Sequence, residues 1–222
     1  MTLKDHAFIF DMDGVIVDSN PYHKIALQQF CARHGYPLTE DQLLTRIYGR
    51  TNKEWLAQLF GQLSPSQLAV YGEEKESLFR ALFEKDIRPV KGLISFLEAL
   101  DTGGIPRAIG TSAPRSNVDF TLSRTGTGRF FSVILDESFV TRGKPDPEIY
   151  LSVAKALNLP PQRCIVIEDS LSGVAAGKAA GAKVIGITTT HTKGELASTD
   201  MVIDDFEGLE PQNVLRMLFP GI

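Results

Sequence analysis

Cysteine is scarce in this sequence: Cys31 and Cys164 are the only two among 222 residues. Neither belongs to a CxxC pair, so nothing indicates a disulfide framework or a cysteine-bound metal. Isolated thiols are typical of proteins in a reducing compartment, and the first residues lack the apolar core of a signal peptide. We therefore expect a cytoplasmic protein.

Positive charge and long apolar runs are lacking as well. Lys and Arg number 23 against 27 for Asp and Glu, and the formal net charge is -4. Nucleic acid is not an expected partner, because its phosphates are bound through basic patches. No apolar run approaches the roughly 18–20 residues that cross a membrane, so no membrane partner is expected. With 43% hydrophobic residues, the composition predicts a packed core.

The sequence does contain an alternation of strand-like and helix-like segments. Runs rich in apolar and β-branched residues lie at 8–10, 107–110, 131–135, 164–167, 182–187 and, more weakly, 201–203. Amphipathic patterns typical of helices lie at 92–100, 117–123, 147–157 and 171–180. This alternation predicts an α/β fold, a doubly wound parallel sheet with helices on both faces.

One segment, from about residue 20 to residue 87, breaks the alternation because it contains no strand-like run. It shows helical patterns at 22–34, 39–48, 52–60, 64–70 and 72–84, with Gly and Pro between them. We predict an all-helical cap domain inserted after the first strand. Residues 18–89 would form the cap, and residues 1–17 and 90–222 would form the core. The two neighbouring chain crossings would make a natural hinge for a lid.

The first strand-like run ends in two carboxylates. Phe8 to Phe10 are followed by Asp11 and Asp13, and Gly14 turns the chain directly afterwards. Open α/β sheets place their sites at the carboxyl ends of strands. Two neighbouring acids cost several kcal/mol to bury unless a cation or partner offsets them. The spacing favours one acid that binds metal or attacks and one that handles a proton. A polar turn at a strand end is the alternative.

Two later loops carry groups suited to an anion. Thr111 and Ser112 follow the run at 107–110, and hydroxyls before a helix N-terminus can bind an anion. The alternative is that Ser116 or Thr111 only caps the helix. Lys144 lies between a Gly and a Pro. Its ammonium could neutralise a phosphate or separate two carboxylates, or it could be an ordinary solvated lysine.

The run at 164–167 again ends in acids, Glu168 and Asp169. Oxygen ligands from several carboxylates suit Mg²⁺, whereas a helix cap at Asp169 or Ser170 is the alternative. We interpret the Gly- and Ala-rich helix that follows as close packing on the sheet. We interpret the polar stretch at 188–192 as a loop or as lining of the site's mouth.

Taken in order, the motifs DMDGVIVDS, IGTSA, GKPDP and VIEDSLSG resemble the four signatures of the haloacid dehalogenase superfamily. The resemblance covers nearly the whole chain. The helical segment resembles the cap of the branch that holds β-phosphoglucomutase and small sugar-phosphate phosphatases. The resemblance implies Mg²⁺-dependent phosphoryl transfer through an aspartyl-phosphate, with a small phosphorylated metabolite as substrate. We also expect a monomer. A non-catalytic phosphate-binding protein is a further alternative.

The resemblance also implies a role for each motif residue. Asp11 would be the nucleophile, and Asp13 would be the general acid/base. The phosphoryl group would be held by Thr111, Ser112 and Lys144. The Mg²⁺ would be bound by Asp11, Glu168 and Asp169 and by the main-chain carbonyl of Asp13. These roles agree with the residue chemistry, because carboxylate attack on phosphorus needs cations to offset the accumulating negative charge.

Further residues are implied to contact the substrate. In the cap they are His23, Gly49, Arg50, Thr51, Asn52 and Lys75, and in the core they are Ala113 and Arg115. Arg50 lies earlier than the corresponding arginine of the mutase. His23 could instead pack within the cap, and Lys75 could instead be a solvated lysine paired with a nearby Glu.

Two reactions are compatible with an aspartyl-phosphate, because either water or a sugar hydroxyl can attack it. The mutase has a Ser-Lys-Asn run after its second-motif hydroxyl, where this chain has Ala113, Pro114 and Arg115. Pro21 also resembles the phosphatases. We predict a phosphatase, with an isomerase of β-glucose 1-phosphate and glucose 6-phosphate as the alternative.

Overall fold

A computed structural model describes residues 3–39, 42–43 and 52–220. The chain forms two compact units, one made of Met1–Asp18 with Ile87–Ile222 and the other of Ser19–Asp86. The limits of cap and core given above stay a prediction. Within the described ranges, no helix combines the length and the apolarity needed to cross a membrane.

The smaller unit, Ser19–Asp86, is helical over most of its described residues. Its helices are α1 (Asn20–Arg33), α2 (Asn52–Phe60) and α3 (Pro65–Phe83). The side chain of Ser64 accepts a hydrogen bond from the amide of Gln67 in a capping box, which fixes where α3 begins. The prediction of two helices at 64–70 and 72–84 is wrong, because Gly72 is buried inside one continuous helix. An interior Gly costs only about 1 kcal/mol, which tertiary packing can offset.

An apolar cluster holds these helices together. Trp55, which packs edge-on against Phe30 at 5.5 Å between ring centroids, is buried in it. Leu27 and Cys31 of α1 and Leu56 of α2 complete its centre, so Trp55 and Cys31 are core residues. Most of the helix predicted at 39–48 lies outside the described residues.

The larger unit is built on a six-stranded parallel sheet. Its strands are β1 (Ala7–Phe10), β2 (Arg107–Gly110), β3 (Val133–Leu135), β4 (Cys164–Glu168), β5 (Lys183–Ile187) and β6 (Met201–Ile203). They are ordered β3-β2-β1-β4-β5-β6. Phe10 of β1 is in register with Ile109 of β2 and Ile167 of β4. Every residue of β1 and β4 is buried, as in parallel sheets covered on both faces. The predicted fold class is confirmed.

Helices of the larger unit are α4 (Leu93–Thr102), α5 (Arg115–Thr125), α6 (Glu148–Ala156), α7 (Leu171–Ala179) and α8 (Pro211–Leu218). The sequence pattern did not predict α8, whose buried face consists of four residues in a short segment. A Cβ at Gly177 of α7 would lie 3.0 Å from Val184 and 3.3 Å from Val166. This position therefore serves the close packing expected of that helix.

Candidate active site

The predicted catalytic residues follow three neighbouring strands of the sheet. Asp11 comes directly after β1, Thr111 follows β2, and Glu168 is the last residue of β4, with Asp169 next. Because β1 lies between β2 and β4, the carboxyl ends of these strands form one edge of the sheet, where α/β proteins place their sites.

Lys144 joins two of these strand ends. Its ammonium donates to Oδ1 of Asp11 and to Oε1 of Glu168, each at 2.6 Å, and it lies 3.5 Å from the carbonyl oxygen of Gly110. Only 7% of its side chain is exposed. The alternative of a solvated loop lysine is therefore wrong, and the positive charge is fixed between two carboxylates.

Glu168 accepts hydrogen bonds from five donor groups. Its Oε1 accepts from Lys144 and from the hydroxyl of Tyr150 at 2.6 Å. Its Oε2 accepts from the amides of Asp169 and Ser170 at 3.1 Å and from the Ser170 hydroxyl at 3.0 Å. A Cβ at Gly173 would lie 1.7 Å from Oε1. Gly173 is thus required by the site, a correction to our view of this helix's glycines as packing alone.

Asp169 is held by a different set of contacts. Its Oδ2 accepts a hydrogen bond from the hydroxyl of Thr190. Gly14, whose φ of +78° favours glycine, lies so close that a Cβ there would be 2.0 Å from the same oxygen. The cap of α7 is Ser170, whose hydroxyl accepts from the amide of Gly173 at 3.1 Å. The helix-cap alternative therefore holds for Ser170, in addition to its bond with Glu168.

Three buried carboxylates, those of Asp11, Glu168 and Asp169, lie with oxygens within 4.8 Å of one another. Burial raises the pKa of Asp11 to about 7, although Lys144 opposes this. Burial, with the charges of Glu168 and Asp11, raises the pKa of Asp169 well above its usual value. Burial alone would also raise the pKa of Glu168, but Lys144 and its other donors lower it. The cluster therefore holds three acids against one ammonium, and without a cation two of these acids keep their protons more readily than usual.

The hydroxyl loop after β2 does not cap the next helix. Thr111 is buried, and its Oγ1 accepts from the amide of Ala113 at 3.1 Å. The residue before α5 is Pro114, which makes no side-chain cap bond, and Ser116 lies inside the helix and not at its N-cap. The cap alternative for this loop is therefore wrong. Ser112 is exposed, and Arg115 is exposed and pairs with Asp119 at 2.9 Å.

The predicted cap residues are only partly described. Gly49, Arg50 and Thr51 lie outside the described residues, as does the side chain of Asn52 at the start of α2. The ring of His23 stacks on Phe79 at 3.6 Å. The ammonium of Lys75, buried at 6% exposure, donates to Nδ1 of His23 and to Glu76, each at 2.9 Å. The alternative of a solvated lysine paired with a nearby Glu is therefore right about the pairing and wrong about the solvation.

Sequence reasoning missed three hydroxyls that contact the acids, those of Tyr150, Ser170 and Thr190 as hydrogen-bond donors. Tyr150 lies on the apolar face of α6, so the helical spacing of this face indicated core packing alone.

Asp13, half-buried, lies in the turn after β1, where Gly14 donates its amide to the carbonyl of Val17 at 2.7 Å. Its role was predicted from its spacing to Asp11 and from the first of the four motifs.

Comparisons with known proteins agree with this arrangement. A family model described as haloacid dehalogenase-like hydrolase matches residues 8–187. The chain is 32% identical over 198 residues to the validoxylamine A 7'-phosphate phosphatase of Streptomyces hygroscopicus subsp. limoneus. The aligned region covers 89% of this chain and 92% of that protein. It is 34% identical over 191 residues to the phosphorylated carbohydrates phosphatase of Thermotoga maritima, with 85% and 88% covered. A solved structure of β-phosphoglucomutase from Clostridium difficile is similar with a TM-score of 0.82 at 26% identity, covering 98% of this chain and 97% of that one.

Proposed function

Because the chain belongs to the haloacid dehalogenase-like hydrolases, in the branch of β-phosphoglucomutase and the sugar-phosphate phosphatases, we propose that it is a phosphatase of small sugar phosphates or similar phosphomonoesters. One observation carries the proposal. Asp11, at the end of β1, is held by the buried ammonium of Lys144 and lies beside two further acids.

In the proposed reaction, a carboxylate oxygen of Asp11 attacks phosphorus and the bond to the ester oxygen breaks. Asp13 donates a proton to that oxygen, so the alcohol leaves neutral. Water then attacks phosphorus in the aspartyl-phosphate and gives its proton to Asp13. Inorganic phosphate leaves, and the carboxylate of Asp11 is restored.

The other site residues would bind and orient the phosphoryl group. Lys144 would offset its charge, and the loop at 111–113 would hold its oxygens with a hydroxyl and main-chain amides. Contacts with the rest of the substrate by His23, Lys75, Arg115 and residues 49–52 stay predictions. A cytoplasmic location and a monomeric state also stay predictions.

Mg²⁺ fits the acid cluster on the chemistry of its donors. Three buried carboxylates face one ammonium, and hard oxygen ligands with excess negative charge suit this ion. Asp11, Glu168 and Asp169 would hold it, together with the carbonyl of Asp13. When bound, it would offset the negative charge that accumulates on the phosphoryl oxygens.

A mutase is the second candidate function, and the similarity to the solved β-phosphoglucomutase favours it. The two reactions share the attack by Asp11 and differ only in the second nucleophile. A sugar hydroxyl that replaces water would regenerate a phosphate ester instead of releasing phosphate.

The deciding experiment incubates the protein and Mg²⁺ with β-glucose 1-phosphate and a trace of glucose 1,6-bisphosphate. Free phosphate and glucose 6-phosphate are followed together. We expect free phosphate to dominate, and a panel of sugar and polyol phosphates then ranks substrates. Glucose 6-phosphate without matching free phosphate would establish the mutase instead. EDTA should stop phosphate release and added Mg²⁺ should restore it, and turnover without metal would contradict the proposed chemistry.

A further inference from the structure

The loop that follows β5 brings consecutive threonines to the edge of the sheet that carries the acids. The hydroxyl of Thr189 donates to the carbonyl oxygen of Gly14 at 2.6 Å. The hydroxyl of Thr190 donates to Oδ2 of Asp169. The preceding Thr188 donates instead to Asp204 at 2.8 Å, an exposed bond outside the site. Thr189 thus contacts the loop after β1, and Thr190 contacts the loop after β4.

These contacts converge on one carboxylate oxygen. Gly14 lies so close to Oδ2 of Asp169 that a Cβ at Gly14 would overlap it, at 2.0 Å. Thr189 holds Gly14 from the carbonyl side, and Thr190 bonds Oδ2 directly. The loops after β1, β4 and β5 therefore meet at this oxygen. The β5 loop, which belongs to none of the four sequence motifs, thus donates a hydrogen bond to the Asp169 carboxylate.

We propose that Thr190, supported by Thr189, is a positioning residue that fixes the Asp169 carboxylate for metal binding. The inference rests on the proposed function, since it takes Asp169 as a ligand of the divalent cation. A hydroxyl that donates to a ligating carboxylate restricts its rotation before the ion arrives. Loss of such outer partners typically lowers metal affinity by about 10- to 100-fold.

The test measures metal binding directly, with Mn²⁺ as the probe and electron paramagnetic resonance reporting the unbound ion. Thr190→Val removes the hydroxyl and keeps the branched shape, while Thr190→Ser keeps the hydroxyl. Thr188→Val is the matched control, because it removes a threonine hydroxyl of the same loop outside the site. Thr190→Ala serves if the valine variant does not fold, as judged by circular dichroism.

We expect Thr190→Val to weaken Mn²⁺ binding about tenfold or more, Thr190→Ser to stay within about threefold of the wild type, and Thr188→Val to leave binding unchanged. The apparent Mg²⁺ requirement of phosphate release should rise in parallel, with activity partly regained at high Mg²⁺. Wild-type affinity in Thr190→Val or Thr190→Ala would overturn the role of Thr190. Asp169→Asn separates the two proposals: if it binds Mn²⁺ as the wild type does, the metal site of the proposed function is itself wrong.

Discussion

The buried side chains of Lys144 and Lys75 lie in different compact units of the protein, and the clusters around them differ in charge balance. In the larger unit, Lys144 lies 2.6 Å from both Asp11 and Glu168, and Asp169 belongs to the same acid cluster. In the smaller unit, Lys75 lies 2.9 Å from one carboxylate, that of Glu76, and 2.9 Å from a ring nitrogen of His23. The first cluster has an excess of acids, whereas among the described residues of the second, one carboxylate pairs with one ammonium.

This difference separates a candidate site from a candidate structural pair. Burying charge is costly unless each charge is paired, so the balanced cluster of Lys75 can persist without a further ligand. The acid-rich cluster has to retain protons or take up a cation, and the raised pKa of Asp11, about 7 because of burial, shows the first response. Charge imbalance, more than burial of a lysine, therefore marks the functional region.

Asp11→Asn should have the largest effect, and it should remove activity without a loss of stability. We expect phosphate release to fall by about 10⁴-fold or more, as for other catalytic nucleophiles. In EDTA the unfolding temperature should stay the same or rise, because one of three repelling carboxylates becomes neutral. Phosphate assays and circular dichroism measure the two effects, with Asp119→Asn as an exposed-acid control. Full activity would exclude Asp11 as the nucleophile, and a large loss of stability would contradict the charge excess.

The same variant should expose a pH dependence of the metal-free protein. The unfolded chain releases the Asp11 proton near pH 3.9, whereas the folded chain keeps it to about pH 7. Stability from this group is therefore lost as pH rises from about 4 to about 7, and the loss then levels off. Because Asn does not titrate, the free energy of unfolding of the variant, relative to wild type, should grow over that range. Urea unfolding in EDTA at several pH values checks this, and a constant difference would contradict it.

Glu76→Gln should have the opposite signature, a loss of stability. Lys75 and Glu76 have side chains only 7% and 6% exposed, and removing one partner of a buried pair costs about 3 kcal/mol. Replacing both, with Lys75→Met and Glu76→Leu, should recover most of that loss, which urea unfolding measures. Glu74→Gln is the control, because Glu74 makes the more exposed pair of the same unit, with His34, at side-chain exposures of 33% and 23%. A double variant as unstable as the single one would contradict the closed-pair interpretation.

The double variant also tests the predicted substrate role of Lys75. If Lys75 contacts substrate, KM should rise while kcat holds, since binding and not chemistry is affected. An unchanged KM would limit the cluster to stabilising the smaller unit.

The sheet and the motif acids were predictable, while the contacts between loops were not. β1, β2 and β4 are apolar runs that end at polar residues, so their carboxyl ends and the acids after them could be read directly. β3 is shorter than its run at 131–135, because a 3-10 helix at Thr127–Phe130 precedes it and Phe131 is the C-cap of that helix. The hydroxyls of Tyr150 and Thr190 reach the acids from a helix face and from a distant loop. Their roles depend on topology, which no local pattern encodes.

Tyr150→Phe should have a moderate effect. It removes one of the donors to Glu168 and leaves Lys144 in place, so the buried carboxylate keeps most of its hydrogen bonds. We expect a loss of about 2 kcal/mol in stability and a fall in kcat of about tenfold. Tyr36→Phe, at an exposed tyrosine, is the control. Wild-type kcat together with wild-type stability would show that Glu168 is held without Tyr150, by Lys144 and by the donors of Asp169 and Ser170.

Arg115→Ala should have the smallest effect on stability, and it tests whether the substrate-binding site extends to this exposed residue. Arg115 and Asp119 are both about 60% exposed, at 61% and 60%, and form an i,i+4 pair on α5. Exposed pairs of this kind contribute about 0.5 kcal/mol or less, so stability should change little. The sequence resemblance nevertheless implies that Arg115 contacts substrate. If it does, its loss should raise KM for doubly phosphorylated sugars more than for monophosphates. KM is measured with both substrate types for the wild type, for Arg115→Ala and for the reversed pair Arg115→Asp with Asp119→Arg. These values decide whether Arg115 contacts substrate or only pairs with Asp119. Equal KM values in all three proteins would leave Arg115 as a surface residue and confine the anion-binding groups to the buried cluster around Lys144.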